Sequence, residues 1–247
     1  MLSRAKNRLY EIVGDFDFIE FISGFEFVSW IEAGCHNGLD TKKMLSIFPN
    51  VLAYGFEPDR VAFSEASSNL AAFGNRILLS HLALSDSVGE LSMRIRDELG
   101  SGNTIFVKDS TESLEKIKCS TLDDELRHKE LGRSALWLDV EGHAVQVLRG
   151  AIRTLRFIDF AKIEVQMHDM SADRIADAFE VISIMKKGGL RPRFLPIHPG
   201  YFGDILFVRS SKMTLRERVV SFLYLFIFEV LHKYIYPALK TPPKYNK

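Results

Sequence analysis

Residues 30–38 read Trp30-Ile-Glu-Ala-Gly-Cys-His-Asn-Gly38, and this stretch decides the fold. Its first four residues are the end of a continuous apolar run, residues 27–33, which predicts a strand buried on both faces of a sheet. Gly34 then allows a tight turn, and Gly38 opens the next helix and leaves room for a ligand to approach. The pattern, ExGxxxG, indicates a strand, a glycine turn and a helix, as found where a parallel sheet binds its ligand.

Strands and helices alternate along the rest of the chain. The predicted strands are residues 27–33, 51–56, 77–84, 89–96, 134–140, 161–166, 190–195 and 204–209. The predicted helices are residues 4–25, 41–48, 60–73, 144–155 and 171–187. Strands separated by helices form βαβ units with right-handed crossovers, so the fold should be α/β with a doubly wound, mostly parallel sheet. The last two strands are joined by the turn-rich residues 196–203 without a helix, so they should pair as an antiparallel hairpin.

Composition limits the class of protein. The 247 residues suffice for one large domain, expected at residues 26–211, between an N-terminal helical segment at residues 1–25 and an apolar, basic tail at residues 212–247. Lys plus Arg equals Asp plus Glu, 32 each, so no overall field draws the chain to nucleic acid. Cys35 and Cys119 form no CxxC motif, and no secretory signal is recognisable, which favours a reducing, cytoplasmic location.

Two further strand ends carry residues suited to a nucleoside. Glu57 ends the second apolar run, where an acid can accept hydrogen bonds from both hydroxyls of a ribose. Ala83 and Leu84 end the third strand and could sandwich an adenine ring, with Ser85 or Asp86 near its exocyclic amine. The first loop departs from GxGxxG, the pattern whose backbone amides hold a pyrophosphate, and this disfavours a dinucleotide.

Several motifs, taken in order, resemble those of the FkbM family of methyltransferases. They are Phe56-Glu57-Pro58 (FEP), Ala83-Leu84-Ser85-Asp86 with Gly89 (ALSD..G), Thr121-Leu122-Asp123-Asp124 (TLDD), Asp139-Val140-Glu141-Gly142 (DVEG) and Val147-Leu-Arg-Gly150-Ala151 (VLRGA). With Asn69, Glu164 and the final strand, the resemblance covers about residues 27–209. Three departures stand out: Glu32 replaces the usual aspartate, His36 is an addition, and His143 replaces an acid.

The resemblance implies the class I methyltransferase fold, which is Rossmann-like and has seven strands, one of them antiparallel near the C-terminus. It also implies S-adenosylmethionine (SAM) as the cofactor, whose ammonium and sulfonium suit a carboxylate such as Glu32. The residues expected to bind SAM are Glu32, Gly34, His36, Asn37, Gly38, Glu57, Pro58, Ala83, Leu84, Ser85 and Asp139.

Methyl transfer to a hydroxyl needs orientation of the reactants and a base that takes the hydroxyl proton. The catalytic candidates are Asp139, Glu141 and His143, in the loop after the fourth long strand. His143 should lie at a helix start, where the local dipole lowers its pKa and keeps the imidazole neutral. For Glu141 and His143, support of that helix start is an equally good alternative.

Asp139 and Glu164 should end adjacent strands. Such a pair could hold a divalent metal, but we favour one acid binding the substrate while hydrogen bonds hold the other. Glu164 and His168 are therefore candidate acceptor-binding residues, and a metal is not the favoured interpretation. Residues 100–104 (Gly-Ser-Gly-Asn-Thr) could close over the cofactor as a lid or form a flexible surface loop. Trp137, inside a strand, is expected in the core.

The tail begins where the resemblance stops. Residues 219–231 are apolar apart from Glu229, and residues 212–247 carry seven Lys/Arg against two Glu, or about +5. The apolar stretch is shorter than the roughly 20 residues of a membrane span. Three alternatives remain: a helix on the protein's own core, a homodimer contact through residues 215–236, or peripheral contact with the inner face of a membrane.

We therefore predict SAM-dependent O-methylation of a hydroxyl on a sugar, glycan or secondary metabolite. The acceptor, a small molecule or glycan, follows from the resemblance alone. Two other classes are kept. One is an NAD-type nucleotide-binding oxidoreductase, which the first loop disfavours. The other is a non-catalytic SAM-binding scaffold, which an Asp139→Asn variant that keeps its biological role would support.

Overall fold

The chain folds around a seven-stranded sheet. The computed structural model describes residues 17–94, 114–166, 178–194 and 202–231. In these ranges the strands are β1 (Ser29–Ala33), β2 (Leu52–Phe56), β3 (Ile77–Ser80), β4 (Ala83–Leu84), β5 (Gly89–Arg94), β6 (Leu114–Ser120), β7 (Ser134–Leu138), β8 (Ile158–Gln166), β9 (Leu190–Phe194) and β10 (Phe202–Arg209). The main sheet has the order β3-β2-β1-β7-β8-β10-β9. β10 runs antiparallel to the other six strands of this sheet, so the predicted fold class is confirmed.

The third predicted strand is interrupted. The sequence predicts one strand over residues 77–84, but β3 ends at Ser80 and β4 starts at Ala83. At the break, the imidazole Nε2 of His81 lies 3.0 Å from the carbonyl oxygen of Pro58. β4 leaves the main sheet and pairs in parallel with β6, which pairs antiparallel with β5. The prediction of a single strand was therefore wrong, because tertiary pairing with β6 redirects its last residues.

β6 lies outside every strand that the sequence predicts. Its sequence, Leu-Glu-Lys-Ile-Lys-Cys-Ser, has three charged residues, and its first half is exposed. Only Ile117, Cys119 and Ser120 are buried, and Ile117 and Cys119 pack with Ala83 of β4 and Met93 of β5. β6 is the central strand of this small sheet, but it has too few apolar residues to produce a clear alternating pattern.

The helices flank the sheet. They are α1 (Phe18–Ile22), α2 (Leu39–Ile47), α3 (Arg60–Leu70), α4 (Leu122–Glu125), α5 (Ala144–Arg149), α6 (Ala178–Lys187) and α7 (Leu215–Val230) among the described residues. The α-helix predicted at residues 60–73 ends at Leu70 and continues as the 3-10 turn Ala71–Arg76. The helix predicted at residues 144–155 is shorter still, because a turn and a second 3-10 segment follow Arg149. The parts of the predicted helices at residues 4–16 and 171–177 lie outside the described residues.

The sheet buries apolar side chains on both of its faces. Successive residues of β1 point in opposite directions, so Trp30 packs into one core cluster and Ile31 into the other. All five residues of β1 are buried, as predicted for a central parallel strand. The cluster that contains Trp30 also holds α1, α2 and α3, and the cluster that contains Ile31 holds α5, α6 and part of α7.

The C-terminal helix α7 packs against the edge strand β9 with one face. Phe228 is fully buried there and contacts Phe179 at a ring-centroid distance of 5.4 Å. A capping box of Thr214 and Glu217 fixes the start of the helix. Across the described ranges of the chain, no helix has both the length and the hydropathy to cross a membrane.

Candidate active site

A cavity of about 300 Å³ opens at the carboxyl ends of β1, β2 and β7. The strand order reverses between β1 and β7, which is where doubly wound sheets bind their ligands. Its lining residues are Glu32, Ala33, Gly34, Cys35, His36, Asn37, Asp40, Phe56, Glu57, Pro58, Asp59, Leu82, Ala83, Leu84, Met93, Trp137, Asp139, Val140 and Glu141. Nine of the eleven residues predicted to bind cofactor lie in this lining; Gly38 and Ser85 do not.

The first loop depends on glycine at Gly34. Its φ is 76°, and a Cβ there would lie 1.7 Å from the carbonyl oxygen of Asp139, so no side chain fits. Gly38 is also in the left-handed region, but the side on which a Cβ would lie faces Leu70 and Ala66 of α3 rather than the cavity. The expectation that Gly38 leaves room for a ligand is thus wrong: the room is taken by the packing of α3.

Glu57 is held rigidly at the start of the second loop. It is buried, and its two carboxylate oxygens accept hydrogen bonds from the backbone N–H groups of His36 (2.7 Å) and Asp59 (2.8 Å). A carboxylate has about four lone-pair sites, so about two remain for the hydroxyls of a ribose. Burial raises the pKa of Glu57, and the two backbone hydrogen bonds counteract that rise.

Glu32 lies at the inner wall of the cavity and differs from the expected free carboxylate. Its Oε2 accepts hydrogen bonds from the indole N–H of Trp30 (2.8 Å) and from the hydroxyl of Thr41. Burial raises its pKa to about 8, so the side chain is a neutral acid at pH 7. A ligand cation beside it would favour the ionised form, since an opposite charge lowers the pKa of a carboxyl group.

The backbone at His36 is in the left-handed region, with a φ of 47°, which is unusual for a residue other than glycine. This conformation directs the His36 N–H to Glu57 and places the residue in the cavity lining. Asn37 stands next to it, and its carbonyl oxygen accepts a hydrogen bond from the side chain of Asn69 (2.9 Å). Asn69, a residue of the family resemblance, thus supports the first loop from α3.

An apolar wall faces the carboxylates across the cavity. It consists of Leu82, Ala83 and Leu84 together with Met93 of β5. These side chains suit a flat aromatic ring, as predicted for Ala83 and Leu84. Ser85 does not join the wall, because its hydroxyl lies 3.0 Å from Nε2 of His143 in the buried interior.

His143 is 1% exposed and lies outside the cavity lining. Burial lowers its pKa to about 4, so the imidazole is neutral, as predicted. The predicted catalytic role is not compatible with this position, because a base must reach the proton that it accepts. His143 instead precedes α5 and contacts Ser85, which agrees with the alternative of support for the helix start.

Three motifs of the family resemblance contact one another behind the cavity. A Cβ on Gly150 would lie 2.1 Å from the carbonyl oxygen of Ser85 and 3.1 Å from Cβ of Thr121. Asp123 accepts hydrogen bonds from the backbone N–H groups of Arg153 (2.8 Å) and Thr154 (2.7 Å). The ALSD, TLDD and VLRGA motifs therefore hold the strand ends together, and of their residues only Ala83 and Leu84 line the cavity.

Asp139 and Glu164 form a carboxyl pair beside the cavity. Leu138 of β7 pairs with Ile163 of β8, so the next residues, Asp139 and Glu164, lie side by side. A hydrogen bond joins them, with Glu164 as the protonated donor. Burial raises the pKa of Glu164 to about 8, and the neighbouring carboxylate of Asp139 contributes. Its Oε2 is buried without a hydrogen-bond partner among the described residues, which a neutral carboxyl tolerates better than an ionised one.

Asp139 itself contacts solvent through the open cavity. The surrounding protein nevertheless desolvates it, and Glu141 and Asp204 add negative charge, so its pKa is raised to about 6. Asp204 pairs with Glu164 in the sheet register and binds Lys162 at 2.9 Å. The raised pKa values of both carboxyl groups favour a pair that shares a proton near neutral pH, with Asp139 as the member that faces the cavity.

Glu141 stands exposed on the same wall, with a φ of 48°. It lines the cavity and raises the pKa of Asp139, so the structure brings Asp139, Glu141 and Glu164 together. Among the described residues, no three His, Cys, Asp or Glu side chains form a group able to hold a metal ion. His168 and the glycine-containing residues 100–104 lie outside the described residues.

Several lining residues were missed by reasoning from the sequence. Trp137 packs against the core at Phe18 and Trp30, as expected, but it also lines the cavity, and its ring lies 4.2 Å from Nζ of Lys162. Asp59 lines the cavity and also caps α3 through the N–H groups of Val61 and Ala62. Asp59 could have been found from the sequence, because an aspartate after Pro58 and before a helix is a typical N-cap. Met93 and Leu82 could not, because they reach the site only through the way β4 and β5 fold beside the main sheet.

The charge of the cavity distinguishes between an anionic and a cationic ligand. Six carboxyl groups line it, and no Lys or Arg is present among its described residues. A pyrophosphate would meet only like charges there, whereas a ligand with an ammonium and a sulfonium would meet opposite ones. The fold and the site together define a class I, SAM-dependent methyltransferase.

The sequence comparison identifies the family. A family model described as the methyltransferase FkbM domain matches residues 38–192, more than half of the chain. The chain belongs to the FkbM methyltransferase family, and the predicted family and cofactor are confirmed. No curated protein sequence matches the chain.

The chain is also similar to parts of solved structures, each at low sequence identity and with a TM-score below 0.5. M. capricolum TrmK in complex with S-adenosyl-homocysteine has 9% identity and a TM-score of 0.45, over 79% of this chain and 69% of that one. A putative rRNA-methylase from Clostridium thermocellum has 10% identity and a TM-score of 0.48, over 77% of this chain and 92% of that one. The mitomycin 7-O-methyltransferase MmcR has 14% identity and a TM-score of 0.41, over 79% of this chain, which spans 51% of that protein. Similarity at this level gives no information about the substrate of this chain.

Proposed function

We propose that this methyltransferase methylates a hydroxyl oxygen of a sugar, a glycan or a secondary metabolite. The observation that carries the proposal is Asp139, a carboxylate at the cavity wall whose pKa is raised to about 6. A base with a pKa near the working pH is the most effective in taking a hydroxyl proton. SAM, when bound, supplies the methyl group on a sulfonium that leaves as a neutral thioether.

The cofactor end of the cavity is assigned to Glu57 and the apolar wall. Glu57 is fixed by two backbone N–H groups and has acceptor sites left for both ribose hydroxyls. Ala83, Leu84 and Met93 provide the apolar contact for the adenine. Asp40 on the opposite wall provides negative charge for the amino-acid part of the cofactor, and Glu32 adds to it once the cofactor's cation favours its ionised form.

The acceptor end is assigned to Asp139 with Glu164 behind it. As the new bond forms between the acceptor oxygen and the methyl carbon, the carbon–sulfur bond breaks and its electrons remain on sulfur. The hydroxyl proton passes to Asp139. The proton on Glu164 keeps a hydrogen bond to Asp139, which stabilises the ionised form of that base before the reaction.

A polyhydroxylated acceptor fits the polar character of this wall. Asp139 and Glu141 present carboxylate oxygens at the cavity, and such oxygens bind neighbouring hydroxyl groups of a sugar. The same acidic wall repels an anionic acceptor such as a phosphate or a carboxylate. The resemblance to the family supports the same class of acceptor.

The test uses purified protein, SAM and a panel of sugar, glycan and phenolic acceptors, with release of S-adenosylhomocysteine as the readout. Asp139→Asn is expected to lower kcat about 10²–10⁴-fold, the usual contribution of a general base. Calorimetric binding of S-adenosylhomocysteine to the same variant separates loss of the base from loss of the cofactor.

Asp204→Asn is the matched control. It removes a carboxylate next to the pair but leaves the base in place, so kcat should persist while the apparent pKa of the reaction falls below about 6. Full activity of Asp139→Asn with a hydroxyl acceptor would contradict the proposal. Cofactor binding without transfer to any acceptor would favour the non-catalytic scaffold instead.

A further inference from the structure

One face of α7 is an apolar stripe open to solvent. It consists of Leu215, Val219, Phe222, Leu223, Phe226 and Ile227, whose exposed fractions lie between 45% and 79%. Their spacing of three and four residues places them on one side of the helix. Single exposed apolar residues are ordinary, but a continuous stripe of this length marks an interaction surface.

The opposite face fixes this orientation. Phe228 is fully buried, and Tyr224 and Leu225 pack against the same core cluster. The hydroxyl of Ser221 donates a hydrogen bond to the carbonyl oxygen of Pro192 in β9. The helix is therefore held on the domain by one face, and the stripe points away from it. The predicted alternative that this helix packs on the protein's own core is therefore correct for one face of α7 only.

The charges on α7 are segregated. Arg216 and Arg218 are exposed beside the stripe, near its N-terminal end. The two acids are less exposed: Glu217 closes the capping box and contacts Arg193 at 3.5 Å, and Glu229 is half-buried. The fully exposed charges of this helix are thus both positive.

We propose that the apolar stripe of α7 docks into the headgroup region of an anionic lipid bilayer. The helix would lie along the surface, with Phe222 and Phe226 inserted at the acyl boundary and Arg216 on the lipid phosphates. The sequence from residue 212 onward, with seven Lys/Arg against two Glu, adds further attraction. A second copy of the chain fits less well, because it would bring more arginines and no fully exposed carboxylate to meet them.

The experiment uses the full-length protein in flotation with vesicles. Mixed vesicles of phosphatidylcholine and phosphatidylglycerol in equal parts are compared with pure phosphatidylcholine. Wild type should float with the mixed vesicles, less at high salt, and hardly with the neutral ones. A Phe222→Ser/Phe226→Ser variant should bind at least about tenfold more weakly, since both aromatic side chains lose their insertion. Arg216→Gln should bind several-fold more weakly to mixed vesicles only.

Two controls complete the test. Ile152→Ser removes an apolar side chain that is 58% exposed at another site, and should bind vesicles like wild type. Binding of S-adenosylhomocysteine by every variant shows that the domain is folded. Absence of wild-type binding to mixed vesicles, or binding that the phenylalanine variant leaves unchanged, would overturn the proposal. So would a wild-type dimer in sedimentation that the same variant converts to a monomer without any vesicle binding.

Discussion

Replacing Glu57 by Gln tests the assignment of the ribose site. The two Glu57 oxygens each accept one backbone N–H, from His36 at 2.7 Å and Asp59 at 2.8 Å, and retain acceptor sites for two hydroxyls. An amide places an NH₂ group where one oxygen was, so one backbone N–H and one ribose hydroxyl lose their acceptor. A hydrogen bond to a charged group contributes about 1.5–3 kcal/mol, so the dissociation constant for SAM should rise about 10- to 100-fold.

The assay is calorimetric titration with SAM and S-adenosylhomocysteine, followed by competition with adenosine and 2′-deoxyadenosine. Wild type should prefer adenosine over 2′-deoxyadenosine. Glu57→Gln should lose most of that preference, since the substitution and the missing 2′-hydroxyl remove the same hydrogen bond. Asp59→Asn is the control: it removes a charge from the same wall but keeps an oxygen for the N-cap of α3, so affinity should change little. An unchanged SAM affinity in Glu57→Gln, or an unaltered preference for adenosine, would refute the ribose assignment.

Two further predictions concern stability. Gly34→Ala should cost more than about 2 kcal/mol in urea unfolding, because its Cβ would collide with the carbonyl of Asp139 at a φ of 76°. Gly24→Ala, which has an ordinary φ and nothing within 4 Å of the added Cβ, should cost much less, and equal losses would contradict the collision. The pKa of Glu164 rises from 4.5 to about 8 on folding, so stability should fall as pH increases through this window. Glu164→Gln should flatten that part of the curve of Tm against pH, and a slope equal to that of wild type would show that Glu164 is ionised in the folded protein.

The local parts of the site could be read from the sequence. A glycine after a buried strand predicts a tight turn, and the structure has Gly34 in the left-handed region at that place. An acid after the second strand predicts a hydrogen-bond acceptor at the same edge of the sheet, and Glu57 lines the cavity. These inferences succeed because the backbone conformation and the strand ends depend on neighbouring residues.

The incorrect predictions share one physical cause. Gly38 and His143 were assigned from their positions along the chain, but what each of them contacts comes from distant elements. Leu70 of α3 fills the space beside Gly38, and Ser85 lies next to His143. Contacts of this kind join residues that are tens of positions apart, so spacing alone gives no sign of them.

Local sequence pattern was enough to predict most of the strands and helices in their order, the reversed last strand, the glycine turn and the family resemblance. The strand β6, the point at which β4 leaves the main sheet, the exposed face of α7 and the distribution of protons over the acids depend on tertiary contacts. The pairing of β7 with β8 and of β8 with β10 places Asp139, Glu164 and Asp204 on neighbouring strands. Their pKa values depend on burial and on mutual repulsion, which exist only after the sheet has set these distances.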